Sequence, residues 1–422
     1  MKSIIALILS FVMVLSLAAC TAQEEPVEVA DEPENIVESA PVPEKTDNPA
    51  EKTGYASLTE NRPTAEIDWV QEGVDYSSVA RLGIGLLKNA EGDNAVISPL
   101  SAYIALAMCA EGADSSTKDE FESLIGSDTR RVANILLDRM KTDENEFSSA
   151  NSAWVGWNSQ LREQFLNDLV MYYNAEAYLT DFDIRIMNEW VNEKTKGLIP
   201  SVFSDELDPL TRLVLINTLY LKAKWASPFD AQATFTDLFH AEGGDREAEF
   251  MHKTAHFEYL DGDGYEGVVL PYRGWGMKFI ALKPTSGTVS DLVSSLEGVN
   301  PEGESRKIFL SMPKFDVDYR FDMVEPLKSL GLESAFTDEA DFSLMSEEPL
   351  YVSNIFQKVK VTVDEDGTEA AAATVVEMVA TSAAPGFVEE PYELRLDEPF
   401  VYMIVESESN VPLFMGVMND PS

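Results

Sequence analysis

The chain is poor in the residues from which most catalytic and metal sites are built. It contains three histidines and two cysteines. A zinc site or a hydrolytic triad would therefore have to use His240, His252 or His256. The motifs GxSxG, HExxH and CxxC and the Walker loop are all missing from the sequence. The sequence predicts a protein that is not an enzyme and that needs neither a cofactor nor a metal.

Basic residues are also scarce, with 31 Lys and Arg against 74 Asp and Glu and a formal net charge of −43. Binding to phosphate groups requires clustered Lys and Arg, so nucleic acid is excluded as a partner. Cys109 lies in the apolar run 104–110 and is the only cysteine outside the first twenty residues. A disulfide framework is therefore not expected, and Cys109 is predicted to be a buried, inert thiol.

The first twenty residues read as an export signal. Lys2 precedes the apolar run 4–17, which is long enough for a signal peptide and short for a spanning helix. The run ends in Leu17-Ala18-Ala19-Cys20, which resembles the lipobox of bacterial lipoproteins. The resemblance implies that Cys20 carries lipid and holds the protein on the extracellular face of a bacterial membrane. The alternative is an ordinary cleaved signal.

The chain divides into three parts by composition. The stretch that follows Cys20 is rich in Pro, Glu and Ala and has few large apolar residues, so it cannot bury enough surface to offset chain entropy. We therefore expect a signal peptide over residues 1–19, a disordered acidic tether over 20–74 and one folded domain over 75–422.

Within the domain, helical patterns come first and strand patterns later. Helices are predicted from Ser77, from a capping box at Thr117 to Glu120, and over 161–173, 186–196 and 322–330. Strands are predicted over 213–221, 267–272, 277–282, 308–318, 392–396, 400–406 and 413–418. Because the two kinds of element cluster instead of alternating, the predicted fold class is α+β.

The most unusual segment is 363–391. Residues 368–382 are almost all small or β-branched and include no proline. In a strand, Thr368, Ala370 and Ala372 would share an uncharged face, and the acids Glu369 and Glu377 would lie on the other. Such a segment can enter a sheet with one face buried. Composition alone would favour a plain Ala/Thr/Ser linker.

This segment resembles the reactive-loop hinge of inhibitory serpins. The matching residues are Glu365, Asp366, Gly367, Thr368, Glu369, Ala370, Ala371, Ala372, Ala373 and Thr374. Further family motifs match at 94–101, 215–220, 224–225, 312–315, 399–400 and 413–416, so the likeness covers the whole domain. The resemblance implies three β-sheets, eight to nine helices and an exposed reactive-centre loop at about 365–391.

The resemblance also implies a function. A target serine peptidase would cut the loop, become linked to it as an acyl-enzyme, and be trapped when the loop inserts into the main sheet. The family's spacing from Glu365 places the cleaved bond at Thr381–Ser382, and threonine there suits an elastase-like or subtilisin-like peptidase. The family's sheet-opening region would comprise Ser98, Ser101, Asn217, Trp225 and Gln357. We expect a monomer whose partners are the peptidase and the membrane.

Several alternatives remain open: a non-inhibitory serpin with a binding or structural role, an inhibitor of cysteine peptidases, a tethered solute-binding lipoprotein and a secreted peptidase. The uninterrupted small residues of the hinge favour inhibition. In the uncut protein Thr368 is expected near the base of the exposed loop. A substitution there should then leave the native fold intact.

Overall fold

The structure is a computed structural model that describes residues 54–62, 64, 67–140, 146–274, 276–299, 301–368 and 390–422. The expected lipidation site Cys20, the hinge residues 369–373 and the expected bond Thr381–Ser382 lie outside the described residues.

The described residues form eight α-helices and sixteen strands. The helices are α1 Ser77–Lys88, α2 Pro99–Gly112, α3 Ser115–Ile125, α4 Thr129–Arg139, α5 Glu163–Tyr173, α6 Ile184–Lys194, α7 Val289–Ser295 and α8 Val324–Ser329. The strands are β1 Tyr55–Ser57, β2 Val96–Ile97, β3 Glu146–Gly156, β4 Ala175–Thr180, β5 Leu213–Lys224, β6 Thr234–Ala241, β7 Gly244–Gly262, β8 Tyr265–Pro271, β9 Met277–Pro284, β10 Glu304–Pro313, β11 Phe315–Asp322, β12 Asn354–Val363, β13 Gly367–Thr368, β14 Tyr392–Arg395, β15 Phe400–Glu406 and β16 Pro412–Met418. In the part of the chain that is described, no helix is long and apolar enough to cross a membrane.

Helix α2 lies in the core because it is apolar on every side. Twelve of its fourteen residues are buried, which is the pattern of a helix enclosed by other elements. It begins at Pro99, whose missing N–H costs nothing in the first turn. The hydroxyl of Ser98 caps it by accepting a hydrogen bond from the N–H of Ser101 at 3.3 Å.

The first sheet has seven strands in the order β1-β4-β3-β5-β13-β12-β11. As predicted, β5 is a central strand buried on both faces, and it pairs with β3 from Val155↔Leu213 to Glu146↔Lys222. On its other side β5 pairs directly with β12 over only four residue pairs, 214–217 with 354–357. Beyond these pairs the short strand β13 lies between β5 and β12.

The second sheet runs β14-β10-β7-β8-β9-β15-β16-β2, with β6 attached to β7. The nineteen residues of β7 join two regions, because its first part pairs with β6 and β10 and its last five residues pair with β8. The expected second and third sheets are therefore continuous through β7. Packed helices and mostly antiparallel strands confirm the α+β class.

One predicted strand is two strands. The single strand predicted over 308–318 ends at Pro313, and β11 starts at Phe315 in the other sheet. Lys314 makes the transfer, and its N–H donates to the carbonyl of Glu249 at 2.8 Å. Residues 310–313 are all buried and Phe315 is buried again, so no break in burial marks the transfer.

The predicted capping box at Thr117 and Glu120 is wrong. Helix α3 begins two residues before Thr117, with Asp114 as its N-cap. Thr117 is fully buried, and the carboxylate of Glu120 accepts hydrogen bonds from the N–H groups of Glu333 and Ser334, both at 2.9 Å. The side chains that the local spacing assigned to a cap therefore bind partners more than two hundred residues away.

The folded unit starts earlier than the expected boundary at residue 75. Strand β1 lies within the stretch assigned to the tether. The ring of Tyr55 contacts the rings of Trp154 and Tyr178, with centroids 6.1 and 5.4 Å apart. Only three residues pair with β4, so composition averaged over fifty residues conceals the strand.

Candidate functional site

The candidate site is the turn that carries the chain from β12 into β13. The carboxylate of Asp364 accepts hydrogen bonds from the N–H groups of Asp366 and Gly367 at 2.9 and 3.1 Å. Its own N–H donates to the carbonyl of Gly367 at 3.0 Å. Burial raises the pKa of Asp364 even though these two N–H groups favour its charged form. The turn reverses the chain so that β13 enters the sheet beside β12.

Glycine is required at position 367 by the closeness of β5. The backbone of Gly367 has φ +156°, and a Cβ placed there would collide with the carbonyl oxygen of Ala223 and lie 2.8 Å from the Cα of Lys224. A side chain at this position would thus push β13 off β5.

Thr368 is already part of the sheet. Its Cα pairs with Ala223 of β5 and Val363 of β12, and only 3% of its surface is exposed. Its hydroxyl lies 2.5 Å from the hydroxyl of Tyr272. The expectation that Thr368 sits on an exposed loop base is therefore wrong. The partner that buries it is 96 residues away, so the local sequence does not show it.

An aromatic stack supports Thr368 from below. Tyr272 is fully buried, and burial raises the pKa of its hydroxyl. Its ring stacks on that of Trp225 with centroids 4.7 Å apart and an angle of 9° between the planes. Trp225 in turn donates from its indole nitrogen to the carbonyl of Asp364 and from its backbone to that of Asp366, both at 2.9 Å. The stack thus contacts both sides of the turn.

Glu365 fastens the turn to the second sheet. Its carboxylate accepts a hydrogen bond from the hydroxyl of Thr234 at 2.7 Å and pairs with Lys314 at 3.1 Å. Its carbonyl accepts from the N–H of Phe229 at 2.8 Å. Partial burial alone would raise the pKa of Glu365, but the bonds from Thr234 and Lys314 outweigh it and the net shift is downward. The carboxylate is thus held in its charged form.

Gln357 lies where β5 and β12 last pair directly. Its Cα is the partner of Asn217. Its side chain accepts a hydrogen bond from the N–H of Ser98 at 2.7 Å and donates to the carbonyl of the same residue at 2.9 Å. The hydroxyl of Ser98 donates to the carbonyl of Leu413 at 2.6 Å. One amide therefore ties β12 to the start of α2 and, through it, to β16.

Asn217 extends this polar layer on the other side. Its side-chain amide donates to Asn151 of β3, and Asn151 donates to the carbonyl of Tyr173 at 3.0 Å. The side-chain oxygen of Asn217 and the hydroxyl of Ser101 are buried without a hydrogen-bond partner in the described residues. Ser98, Ser101, Asn217 and Gln357 thus lie together under the last pairs, whereas Trp225 lies at the other end of β5.

A serine and a histidine meet elsewhere in the second sheet. His252 donates from Nδ1 to the carbonyl of Ala233 at 3.0 Å, so its Nε2 accepts from the hydroxyl of Ser311 at 3.1 Å. This contact has the atoms of a nucleophile and a base, which sequence reasoning did not anticipate. However, Ser311 is fully buried, and Phe235 stacks on the imidazole with centroids 3.9 Å apart. A substrate carbonyl therefore has no path to the hydroxyl.

Sequence reasoning missed four residues of the candidate site: Asp364, Tyr272, Thr234 and Lys314. Asp364 could have been found, because an aspartate side chain often accepts hydrogen bonds from the N–H groups two and three residues later, and this contact is typical of a turn. The other three lie on distant elements, and nothing in their local sequence points to the hinge.

Comparisons with known proteins agree with this architecture. The family model described as Serpin (serine protease inhibitor) matches residues 80–421. A serpin-like protein of Thermococcus kodakarensis is 32% identical over 90% of this chain and 94% of its own length. The crystal structure of a thermophilic serpin, tengpin, in the native state superposes with a TM-score of 0.79 and 29% identity, over 87% of this chain and 99% of that one. Arabidopsis AtSerpin1 in its native stressed conformation gives a TM-score of 0.71 and 27% identity, over 82% and 96%.

The contact between Thr368 and Tyr272 can be tested by a double-mutant cycle. Thr368→Val leaves the tyrosine hydroxyl unpaired in a buried site, and Tyr272→Phe leaves the threonine hydroxyl unpaired, so each should destabilise the protein by about 1–3 kcal/mol. In the double variant neither polar group remains, and the loss should fall short of the sum by about 1 kcal/mol or more. Urea unfolding of the four proteins measures the coupling. Additive effects would show that the two hydroxyls do not interact.

The pairing of Glu365 with Lys314 predicts a pH dependence. In the folded protein the pKa of Glu365 lies below its ordinary value of 4.5. The contacts of the charged carboxylate therefore stabilise the fold fully above pH 4.5, and this stabilisation is lost as the pH falls through the folded pKa. Glu365→Gln should lower stability at pH 7 by about 1 kcal/mol, since the pair is partly exposed. The difference in urea midpoint between parent and variant should shrink as the pH falls below 4.5 and through the folded pKa of Glu365. Glu249→Gln, at the more exposed carboxylate 3.5 Å from Lys314, is the matched control and should have a smaller effect. A difference that does not shrink at any pH below 4.5 would contradict the assignment.

Proposed function

Because the chain belongs to the serpin family, a family of protease inhibitors, we propose that it inhibits serine peptidases as a suicide substrate. The observation that carries the proposal is the division of the main sheet. At one end β5 and β12 pair directly over four residue pairs, and at the other Gly367 and Thr368 are already inserted between them. The sheet thus has a place for a further strand, and the hinge is the start of that strand.

The proposed chemistry begins as ordinary proteolysis. The peptidase serine attacks the carbonyl of Thr381, an acyl ester forms, and the amine of Ser382 leaves with the proton that the peptidase histidine took from the serine. Water would then hydrolyse the ester in a normal substrate. Here the segment that follows Thr368 instead extends β13 between β5 and β12, which supplies ladder hydrogen bonds on both sides. The linked peptidase is carried along with the strand.

The position of Thr368 defines the face of the incoming strand. Its side chain points into the core toward Tyr272, so in a continued strand Ala370, Ala372 and Thr374 would follow it inward. Small side chains can pass between close neighbours there without overpacking the core. Glu369, Ala371 and Ala373 would face outward.

The same register identifies where the sheet must open. Continuing from the pairing of Thr368 with Ala223 brings Thr374 level with Asn217 and Gln357. Insertion up to Ala373 would fill the gap that lies between β5 and β12 beyond their four direct pairs. Further insertion would require β5 and β12 to separate. The double hydrogen bond from Gln357 to Ser98 and the contact between Asn217 and Asn151 lie at this point. We infer that the resistance to opening comes from the four ladder pairs between β5 and β12, while these side-chain contacts hold each strand to its other neighbour.

The nature of the cleaved bond favours one class of target. Threonine at 381, between Ala380 and Ser382, fits a small apolar specificity pocket, whereas trypsin-like peptidases require a basic residue. An elastase-like or subtilisin-like serine peptidase is therefore the proposed target. A cysteine peptidase or a purely binding role is the alternative, and trapping of an elastase distinguishes them.

The test is formation of a covalent complex. Incubation of the protein with pancreatic elastase should give an SDS-stable band at the sum of the masses of the peptidase and the cleaved inhibitor. Ala372→Arg should abolish it, because burying an unpaired charge costs several kcal/mol. About 3 kcal/mol on the insertion barrier slows trapping more than a hundredfold relative to hydrolysis. Ala371→Arg, on the outward face, is the matched control and should still trap.

Thr368→Arg is unsuitable for this purpose. Because Thr368 is buried in the uncut protein, arginine there would destabilise the native state as well as the inserted one. If the parent is cleaved at Thr381 without forming a complex, the protein is a substrate and the proposal fails. Equal damage by Ala371→Arg and Ala372→Arg would overturn the face assignment.

We further propose that Cys20 is the lipid attachment site and that the protein is held on the outer face of a bacterial membrane. The support is the Leu17-Ala18-Ala19-Cys20 motif after an apolar run. A lipoprotein cysteine carries more than one acyl chain, which suffices for stable anchoring. Cys20→Ser should therefore move the protein from the membrane pellet to the soluble fraction. Continued sedimentation with membranes would contradict the proposal.

A further inference from the structure

Residues 225–229, which directly follow β5, hold the candidate turn by its carbonyl groups. Three hydrogen bonds of 2.8 to 2.9 Å run from this segment to the carbonyls of residues 364–366, two of them from Trp225 and one from the N–H of Phe229. The position of the turn therefore depends on the position of residues 225–229, which we call the holding segment.

Lys253 of β7 fixes the holding segment in turn. Its ammonium group donates to the carbonyl and to the hydroxyl of Ser227, both at 2.6 Å, and to the carbonyl of Pro228 at 2.9 Å. The three N–H bonds of the ammonium group are thereby all used. The ring of Phe229 lies close by, with its centroid 5.6 Å from the same nitrogen. Because Ser227 and Pro228 come directly before Phe229, Lys253 positions the N–H that Phe229 donates to the turn.

The surroundings of Lys253 lack a negative charge. In the part of the chain that the structure describes, Lys253 is held by neutral oxygens and pairs with no carboxylate. Asp230, which follows the holding segment, accepts instead from the N–H of Gln232 at 2.9 Å. Seven other described lysines do pair with a carboxylate: Lys194, Lys196, Lys283, Lys314, Lys328, Lys358 and Lys360.

A site of this kind favours the neutral amine. Lys253 is partly buried, and burial without a counter-charge lowers its pKa to about 8. At pH 7 about one in ten amines with such a pKa is unprotonated, against fewer than about one in a thousand for an ordinary lysine. The unprotonated nitrogen has a free electron pair and is a nucleophile. Ser227 beside it is exposed, so a small reagent can approach from the solvent.

We propose that Lys253 is a site of covalent modification by small carbonyl electrophiles and that its acylation releases the holding segment from β7. The simplest such reagent is isocyanic acid. The neutral amine of Lys253 adds to its carbon, a C–N bond forms, and the electron pair of the C=N π bond takes up the proton that the amine loses. The product is a carbamoyl-lysine, and nothing is expelled. This inference does not depend on the proposed function.

The geometry of the ammonium group explains the release. Three oxygens surround the nitrogen at 2.6 to 2.9 Å, whereas a carbamoylated nitrogen keeps only one N–H. A carbon bonded at about 1.33 Å takes the place of another N–H, and an oxygen that stayed in that direction would lie roughly 1.5 Å from this carbon. At least two of the three contacts are therefore lost, and the holding segment has to move.

The experiment treats the full chain with potassium cyanate at neutral pH and follows each lysine by peptide mass spectrometry. Lys253 should be carbamoylated at least about tenfold faster than the exposed Lys88 and Lys196, because the larger neutral fraction outweighs the lower nucleophilicity of a weaker base. Hydrogen–deuterium exchange then follows the holding segment. The N–H groups of Trp225 and Phe229 should exchange at least about tenfold faster after modification, while those of α2 stay protected.

Lys253→Arg is the matched control, because arginine keeps the positive charge and several donors but does not react with cyanate. The treated variant should keep the slow exchange of the untreated parent, which excludes the other lysines as the cause. The proposal is overturned if Lys253 reacts no faster than Lys88 and Lys196, a comparison that uses the parent chain alone. Unchanged exchange of residues 225–229 after carbamoylation of Lys253, or an equal rise in treated Lys253→Arg, would also overturn it.

Discussion

The constraint on which the structure depends is that β5 and β12, neighbours in the middle of the main sheet, join directly at one end only. Four parallel residue pairs hold them there. In the described residues no ladder joins 218–222 of β5 to 358–362 of β12. The two strands share a partner again only at Thr368, which pairs with both. A central position in a sheet normally has continuous partners on both sides. This sheet therefore has a strand position between β5 and β12, and β13 fills one end of it.

Two side-chain contacts flank the line along which the sheet would open. Gln357 ties β12 to Ser98 at the start of α2, and Asn217 ties β5 to Asn151 of β3, so each strand is held to a different neighbour. Separating β5 from β12 breaks four pairs of a ladder but need not break either of these side-chain contacts. In the proposed mechanism the two halves of the sheet would move apart with both contacts intact, which keeps the cost of opening low because an unpaired buried amide is expensive.

The sequence predicted the elements better than their contacts. Residues that form β5 were predicted because eight of the nine residues 213–221 are apolar or β-branched, and α5 and α6 because of their apolar spacing, with Gly197 as a stop after α6. The resemblance of 365–374 to a known hinge located the candidate site. Burial of Thr368 was not predictable, because it depends on Tyr272, Trp225 and the approach of β5. The roles of Glu120 and Lys314 are of the same kind, since both side chains bind partners on distant elements.

In the proposed mechanism, the burial of Thr368 changes which residues of the hinge would control trapping. A strand that had to begin insertion after cleavage would need to fix its first residues before any ladder bond formed, and that loss of chain entropy is of order 1–2 kcal/mol per residue. Here the turn at Asp364, the fit of Gly367 against Ala223 and the hydroxyl contact at Thr368 have fixed the start in the uncut protein. In the proposed mechanism, insertion would then lengthen an existing ladder. The barrier would fall on the next inward positions, Ala370 and Ala372, and on the separation at Gln357. Small side chains at these two positions would matter because they would be the first to pass beneath the sheet while the acyl bond is still intact.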